Sequence, residues 1–209
     1  MMKLDEPTKE IFTSQLNVSR ETLDLLSVYG ETLDKWQSKI NLVSGKTIDN
    51  VWWRHFLDCA QLHNLLPSGT KSILDIGSGA GFPGLVLAVM GAKNVTLVEA
   101  DSKKCLFLGE VVRRTGGHAN IVNCRIEEFD GGYFDVITAR ALAPMDKLLS
   151  YINPHFGPGT KGIFLKGEQV EHELTKAKKQ WKLKYRTIPS ITCDAGSIII
   201  MEKISSGSE

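Results

Sequence analysis

Cysteine is scarce and scattered in this chain. There are four in 209 residues, Cys59, Cys105, Cys124 and Cys193, and no two form a Cys-x-x-Cys pair. The histidines supply no matching zinc spacing, so no metal site is expected, and the thiols read as the reduced cysteines of a cytosolic protein. An apolar run long enough to span a bilayer is missing. Met1 to Glu10 carries charge and no apolar core, unlike a secretory signal, so a cytoplasmic protein without membrane attachment is expected. An excess of either charge is also missing: 25 Lys and Arg face 24 Asp and Glu, a net charge of +1. Nucleic-acid binding is neither demanded nor forbidden, and any basic surface must be local. Internal repeats and low-complexity linkers are absent. The hydrophobic share of 42% excludes disordered and collagen-like classes. The length suits one domain with a short extension, large enough to bury its core without staples, and nothing demands more than a monomer.

What is present divides the chain in two. Residues 1–66 read as a helical extension. Val18 to Ile40 spaces Leu23, Leu25, Leu26, Leu33 and Trp36 among charges, as one amphipathic helix or two broken near Gly30. Asn41 to Gly45 reads as a loop, and a third helix is expected from Thr47 to Leu66, stopped by Pro67-Ser68-Gly69. From Lys71 the rhythm changes. Strands are expected at Ser72–Ile76, Asn94–Glu99, Ala119–Asn123, Tyr133–Ala139 and Lys161–Lys166, with helices at Phe82–Met90 and Ser102–Thr115, the latter stopped by Gly116-Gly117. Repeated β-α-β units imply an α/β, Rossmann-like, doubly wound, mainly parallel sheet, with ligands at the carboxyl ends of its strands. A charged helix, Val170 to Trp181, then precedes Leu183–Thr187 and Ser197–Lys203. Their short connection predicts a closing antiparallel pair. Residues 67–204 thus form the main domain and 205–209 a loose tail.

The most informative stretch is Ile73-Leu74-Asp75-Ile76-Gly77-Ser78-Gly79-Ala80-Gly81-Phe82-Pro83-Gly84. Two patterns overlap in it. Gly79, Gly81 and Gly84 fit the dinucleotide fingerprint, and Asp75, Gly77, Gly79 and Gly81 fit the acidic-x-Gly-x-Gly-x-Gly loop of methyltransferases. A dinucleotide loop must hold a pyrophosphate at a helix N-terminus, and Asp75 would add negative charge beside it. S-adenosylmethionine carries no phosphate, only a sulfonium and an ammonium, and a carboxylate favours both. Glu99, ending the second strand, can accept both ribose hydroxyls; this serves NAD equally. Ile126 and Glu127, after the third strand, suit an adenine ring and its amino group. Phe82 packs either against the ligand or into the helix–sheet interface.

The exit of the fourth strand, Thr138 to Pro144, faces the reacting side. The Asn/Asp-Pro-Pro-aromatic motif of many amino-group methyltransferases is absent there, and so is a cysteine nucleophile; Cys193 is the only remote candidate. Arg140 stands there instead. Its fork suits a phosphate or guanine O6 and N7, or a structural ion pair with a neighbouring acid. Lys166, ending the fifth strand, either contacts an RNA backbone or is a solvated strand-end lysine. Lys161 to Arg186 holds eight basic residues against three acids, with Trp181 and Tyr185 interleaved: a phosphate-tracking surface or a solvated face. Arg54, His55 and Asp58 lie close on the third helix. They either cover the pocket and bind the substrate, or His55 and Asp58 form a hydrogen-bonded pair fixing that helix.

Asn41-Leu42-Val43-Ser44, Arg54-His55-Phe56-Leu57-Asp58, the Asp75 to Gly84 loop, Ala139-Arg140-Ala141 and Leu165-Lys166-Gly167 occur in this order. Over roughly residues 30–204 the chain closely resembles the bacterial small-subunit ribosomal RNA guanine-N7 methyltransferases, the RsmG or GidB family. Cys59 departs from the serine expected after the helix aspartate. The resemblance implies a class I methyltransferase fold, S-adenosylmethionine as cofactor, and methylation of a guanine N7 in 16S rRNA, on naked RNA or on the small ribosomal subunit. It implies cofactor contacts at Gly77, Phe82, Ile126, Glu127 and Arg140, beside the Asp75, Gly79, Gly81 and Glu99 read from the loop. RNA contacts are expected at Lys166, His55 and Arg54. Guanine N7 carries an exposed lone pair, so no general base is needed, and Arg140 is expected to position substrate or cofactor. The rivals are a methyltransferase of a small molecule or protein and a non-catalytic regulator; Asp75 disfavours a nicotinamide-dependent reductase.

Overall fold

The computed structural model describes residues 5–207. The first four residues of the charged Met1–Glu10 stretch, and 208–209 of the expected tail, lie outside it. After a short helix α1 (Glu6–Glu10), the N-terminal region is built on α2 (Arg20–Gln37). Ser19 caps α2, its hydroxyl accepting from the Thr22 amide at 3.1 Å, which satisfies one of the helix's free N–H groups. The helix runs unbroken through Gly30. There the missing side chain lets the Phe56 ring approach; a Cβ would already lie 3.4 Å from its Cε2.

The expected Thr47–Leu66 helix is not regular. A 3-10 turn (Ile48–Asn50), a π-helical turn (Trp52–Leu57), the short α3 (Asp58–Ala60) and a second 3-10 turn (His63–Leu65) replace it. The cause is packing. His55, Phe56 and Leu57 are all buried in succession, which a 3.6-residue period does not permit on one face.

The α/β rhythm produces a seven-stranded sheet. Its strands are β1 (Ile73–Ile76), β2 (Val95–Glu99), β3 (Ala119–Asn123), β4 (Val136–Arg140), β5 (Lys161–Lys166), β6 (Trp181–Pro189) and β7 (Ser197–Ser206). They are ordered β3-β2-β1-β4-β5-β7-β6. The first five are parallel, and β7 inserts antiparallel between β5 and β6. Helices α4 (Gly84–Val89), α5 (Ser102–Thr115), α6 (Met145–Ile152) and α7 (Val170–Ala177) complete the chain. The doubly wound sheet with its closing antiparallel pair agrees with the sequence expectation.

Strand alternation sorts the core into two layers. Ile73 and Leu97 face Leu85, Phe107, Tyr29 and Phe56. Leu74, Ile76 and Phe164 face Leu149 and Leu174 on the other side. The N-terminal helices therefore share one core with α4 and α5.

Several boundaries shift: β4 begins at Val136 rather than Tyr133, and α4 at Gly84 rather than Phe82. α7 stops at Ala177 rather than Trp181, because Trp181, Leu183 and Tyr185 alternate onto the second layer as the start of β6. β7 continues through Ser206, pairing it with Trp181, so Ser205 and Ser206 are strand residues rather than loose tail. Strand order reverses between β1 and β4, and the crevice beyond their carboxyl ends is the natural ligand position. Among the described residues no helix is long and apolar enough to cross a membrane.

Candidate active site

A cavity of about 1000 Å³ opens at that crevice. Its floor is the glycine loop after β1 and the exits of β2, β4 and β5. Leu42 and Val43 from the N-terminal region and Ser190, Cys193 and Gly196 from the β6–β7 connection close over it. Of the expected site residues, Arg54, His55, Gly77, Gly79, Phe82 and Glu99 line it. So do Ile126, Glu127, Arg140 and Lys166. Asp75 and Gly81 do not.

The glycine loop is shaped for close approach. Gly79 has a φ of +57°, and a Cβ there would meet nothing nearer than the Gly77 carbonyl at 3.9 Å. Its backbone is therefore bare where it lines the cavity. The Gly79 N–H donates to Glu99 Oε2 at 2.7 Å, and the Asp101 N–H donates to Glu99 Oε1 at 2.8 Å. Two backbone donors thus fix the carboxylate. Since it offers about four lone-pair sites, acceptor capacity remains for the hydroxyls of a ribose. Ile126 and Glu127 sit on a 3-10 turn after β3, with Cys124 and Arg125 beside them in the wall.

Asp75 differs from the expectation. Its side chain is wholly buried under the loop. Oδ1 accepts from Thr138 Oγ1 at 2.7 Å, and Oδ2 has no hydrogen-bond partner. Burial raises its pKa to about 6, opposed by the Thr138 hydrogen bond. It lies on the α4 face of β1, against Gly84, and supports the loop from beneath instead of facing a ligand. Gly81 is likewise a packing position, with Leu85 Cβ 2.8 Å and Leu108 Cδ2 3.0 Å from where its Cβ would be.

On the reacting side Arg140 is the centre of a network. One Nη1 donates to the Arg54 carbonyl and to Asp58 Oδ2, both at 3.2 Å. Nη2 lies 2.8 Å from His55 Nδ1. A guanidinium has no acceptor and stays charged, so Nδ1 must be the accepting lone pair. The ring is then neutral with its proton on Nε2, which donates to Thr47 Oγ1 at 2.9 Å. Burial, then the charges of Arg140 and Arg54, lower the His55 pKa to about 3. Phe82 stacks between His55 (5.0 Å) and Tyr29 (5.6 Å), with the Arg140 guanidinium 4.8 Å from its centroid. Phe82 therefore serves both readings, lining and core. His55 and Asp58 are joined through Arg140 rather than as a direct pair. Asp58 Oδ1 also accepts from Thr192 Oγ1 at 2.6 Å, and Trp53 Nε1 donates to the Thr192 carbonyl at 3.0 Å. The β6–β7 connection is thereby fastened to the π-helical turn. Three of the five Arg140 N–H groups are occupied, and two remain for a ligand.

Arg54 is exposed at the rim. Lys166 is neither solvated nor spare: its Nζ donates to the Ala143 carbonyl at 2.7 Å and to Glu173 Oε2 at 2.8 Å. Glu173 also accepts the Met145 N–H at 2.9 Å. Together they hold the β4–α6 connection, which presents Leu142 against Gly77.

Sequence reasoning missed Thr47, Thr138, Thr192 and Leu142. For the Ser190–Gly196 loop a signal existed. A strand antiparallel to β5 must begin at the carboxyl end of β5, so the connection entering it has to lie over the site.

The network has a pH signature. An unfolded imidazole titrates near 6.5 and the folded one near 3. Between those values the unfolded chain binds more protons, and stability falls as pH drops. Asp75 acts oppositely between about 4 and 6, where the folded chain holds the extra proton. A His55→Gln variant should show a shallower fall in Tm between pH 6.5 and 4 than the parent. An equally steep limb would contradict the buried neutral ring.

Comparison with known proteins agrees with this architecture. A family model described as rRNA small subunit methyltransferase G, GidB, matches residues 22–197. The ribosomal RNA small subunit methyltransferase G of Paramagnetospirillum magneticum is 47% identical, covering 95% of this chain and 97% of its own. That of Rhodospirillum rubrum is 45% identical, covering 94% and 98%. Among solved structures, the ribosomal protein L11 methylase of Lactobacillus delbrueckii superposes with a TM-score of 0.57 at 16% identity, covering 78% of this chain and 80% of its own. An O-methyltransferase from Bacillus cereus gives 0.58 at 14%, covering 94% and 97%. These two share the fold. The match along most of the chain, with relatives of nearly equal length, places this protein in the rRNA small subunit methyltransferase G (GidB) family.

Proposed function

We propose that this protein transfers the methyl group of S-adenosyl-L-methionine to N7 of a specific guanine in 16S rRNA. It acts in the cytoplasm as a monomer, away from membranes, on rRNA or the small ribosomal subunit. In this reading the methyltransferase domain begins at residue 67 and runs through the end of β7, and the helices before it are an extension packed on its core. Glu99, held by the Gly79 and Asp101 amides, accepts the ribose hydroxyls, and Ile126 and Glu127 take the adenine. The bare backbone at Gly79 admits the remainder of the cofactor, with Gly77 beside it under Leu142. Bound there, S-adenosyl-L-methionine supplies an electrophilic methyl on a sulfonium.

The observation that carries the reading is the state of the groups around Arg140. The His55 lone pair is occupied by the guanidinium, and its low pKa makes it a poor base. Asp58 is tied to Arg140 and Thr192. Neither is poised to take a proton. Guanine N7 attacks with a lone pair already exposed and loses no proton, so such a site suits it. The chain's task is then alignment. The purine gains positive charge as it reacts, so Arg140 serves by holding O6, a phosphate or the cofactor, with Arg54 and His55 at the same wall. The test is transfer of labelled methyl to small-subunit particles lacking the modification, followed by nucleoside mapping. A single N7-methylguanosine is expected. Absence of transfer despite measured cofactor binding would overturn the assignment of substrate.

A further inference from the structure

The basic run noted between Lys161 and Arg186 is not one surface. Lys166 is consumed beneath the cavity, and Lys176 pairs with Asp146 at 2.8 Å. Lys178 and Lys179 lie between α7 and β6, Lys178 over the Tyr185 ring, and the other four are organised by the sheet. β6 is an edge strand, paired with β7 alone among the described residues. Trp181, Leu183 and Tyr185 turn to the second core layer, so Lys182, Lys184 and Arg186 stand together on the opposite face. All three are exposed.

Register adds two more cations. Lys184 pairs directly with Lys203 of β7. On β5, Ile163 and Leu165 face the first layer, which places Lys161 on the same side. The single acid among them is Glu202, at the irregularity in β7. It meets Lys184 at 3.0 Å, and its pKa is lowered by Lys184, with Lys161 and Arg186 contributing. Five cations therefore surround one carboxylate in a chain whose net charge is +1. Like charges directly opposite each other across strands are destabilising, so this face is costly to an isolated fold. Same-face residues on a strand recur about every 7 Å, a repeat comparable with successive phosphates of an extended nucleic acid. At its far end β6 leads into Ser190, which lines the cavity.

We propose that the face formed by Lys182, Lys184, Arg186, Lys203 and Lys161 is a phosphate-binding track. The rRNA strand flanking the target base lies along it and is led to the cavity rim. The proposal rests on the reading above that RNA is the substrate.

The test uses the Lys182→Gln/Arg186→Gln double variant of the full chain. Its binding to a 16S rRNA fragment containing the target loop is followed by anisotropy over a range of salt. Loss of two phosphate contacts should flatten the plot of log K against log salt by about 1.4. The KM for small-subunit particles should rise roughly tenfold, with kcat and cofactor affinity unchanged. If the parent methylates the particles while the variant keeps the same slope and KM, the track is wrong and the function stands. That result would also follow if the face met an acidic protein instead. If the parent methylates no particle but the slope flattens as described, the track stands and the substrate reading fails.

Discussion

Replacing Arg140 by alanine is expected to lower methyl transfer by about two orders of magnitude or more, the scale on which misplacement of a reacting group by an ångström acts. Arg140 touches the Arg54 carbonyl, His55 and Asp58 and leans on Phe82. Its removal leaves a carboxylate and an imidazole lone pair without their cation. The Arg140 and Asp58 side chains are each only 17% exposed, so breaking the pair should also cost about 3 kcal/mol of stability. Lysine is a poor substitute. A single ammonium lacks the planar fork that reaches three acceptors at once, so Arg140→Lys should recover less than half of the lost stability. Turnover and thermal unfolding, measured on the same preparations, decide the matter. An alanine variant with parental kcat and Tm would show that the network is ornamental.

The second large effect is expected at Gly84. A side chain there would run into the Cβ of Asp75, and Asp75 Cγ and Leu97 Cδ2 would each lie 2.7 Å away. One obstacle is next to the backbone of β1, so no rotamer change relieves it. Either α4 or the strand must move. Gly84→Ala should cost about 3 kcal/mol, the upper range for overpacking. Gly84→Val should consume most of a typical domain's stability of about 5–15 kcal/mol and yield little folded protein. Gly45 is the control: a Cβ there meets nothing within 4 Å, and Gly45→Ala should stay within about 0.5 kcal/mol of the parent. Urea midpoints for the two alanine variants that coincide would refute the close contact between α4 and β1.

Much of the architecture was legible because strand and helix periods differ. Short apolar runs ending in Asp75-Ile76-Gly77, Glu99 and Ala139-Arg140 marked the strands and their carboxyl ends together, and so marked the cavity. What lay beyond reach was direction and partnership. Asp75 and Glu99 look alike as acids at strand ends. Both face the same layer, but Asp75 is level with Leu97, two residues short of Glu99, and the packing of Gly84 on Asp75 decides that this carboxylate is sealed in. Lys166 looked free because its partner, Glu173, arrives from a helix that sequence periodicity does not orient. The Trp52–Leu57 segment fooled the helical period for a related reason. Its three consecutive buried residues are dictated by α2 and the glycine loop on one side and Arg140 on the other. Trp181 satisfied helix propensity equally well, and only the alternation of Leu183 and Tyr185 into the core assigns it to β6.

The hydroxyl of Tyr29 donates to the Ala80 carbonyl, inside the loop that borders the cavity. Its ring lies nearly parallel to Phe82, at an interplanar angle of 7°. The helix that carries Tyr29 and the loop that lines the cavity are therefore not independent cooperative units. A ligand that binds only the ordered loop adds its binding free energy to α2 as well. In reverse, any partner that pries α2 loose must weaken cofactor affinity by the same factor. The order of α2 and the affinity of the loop for its ligand are thus two ends of one thermodynamic linkage.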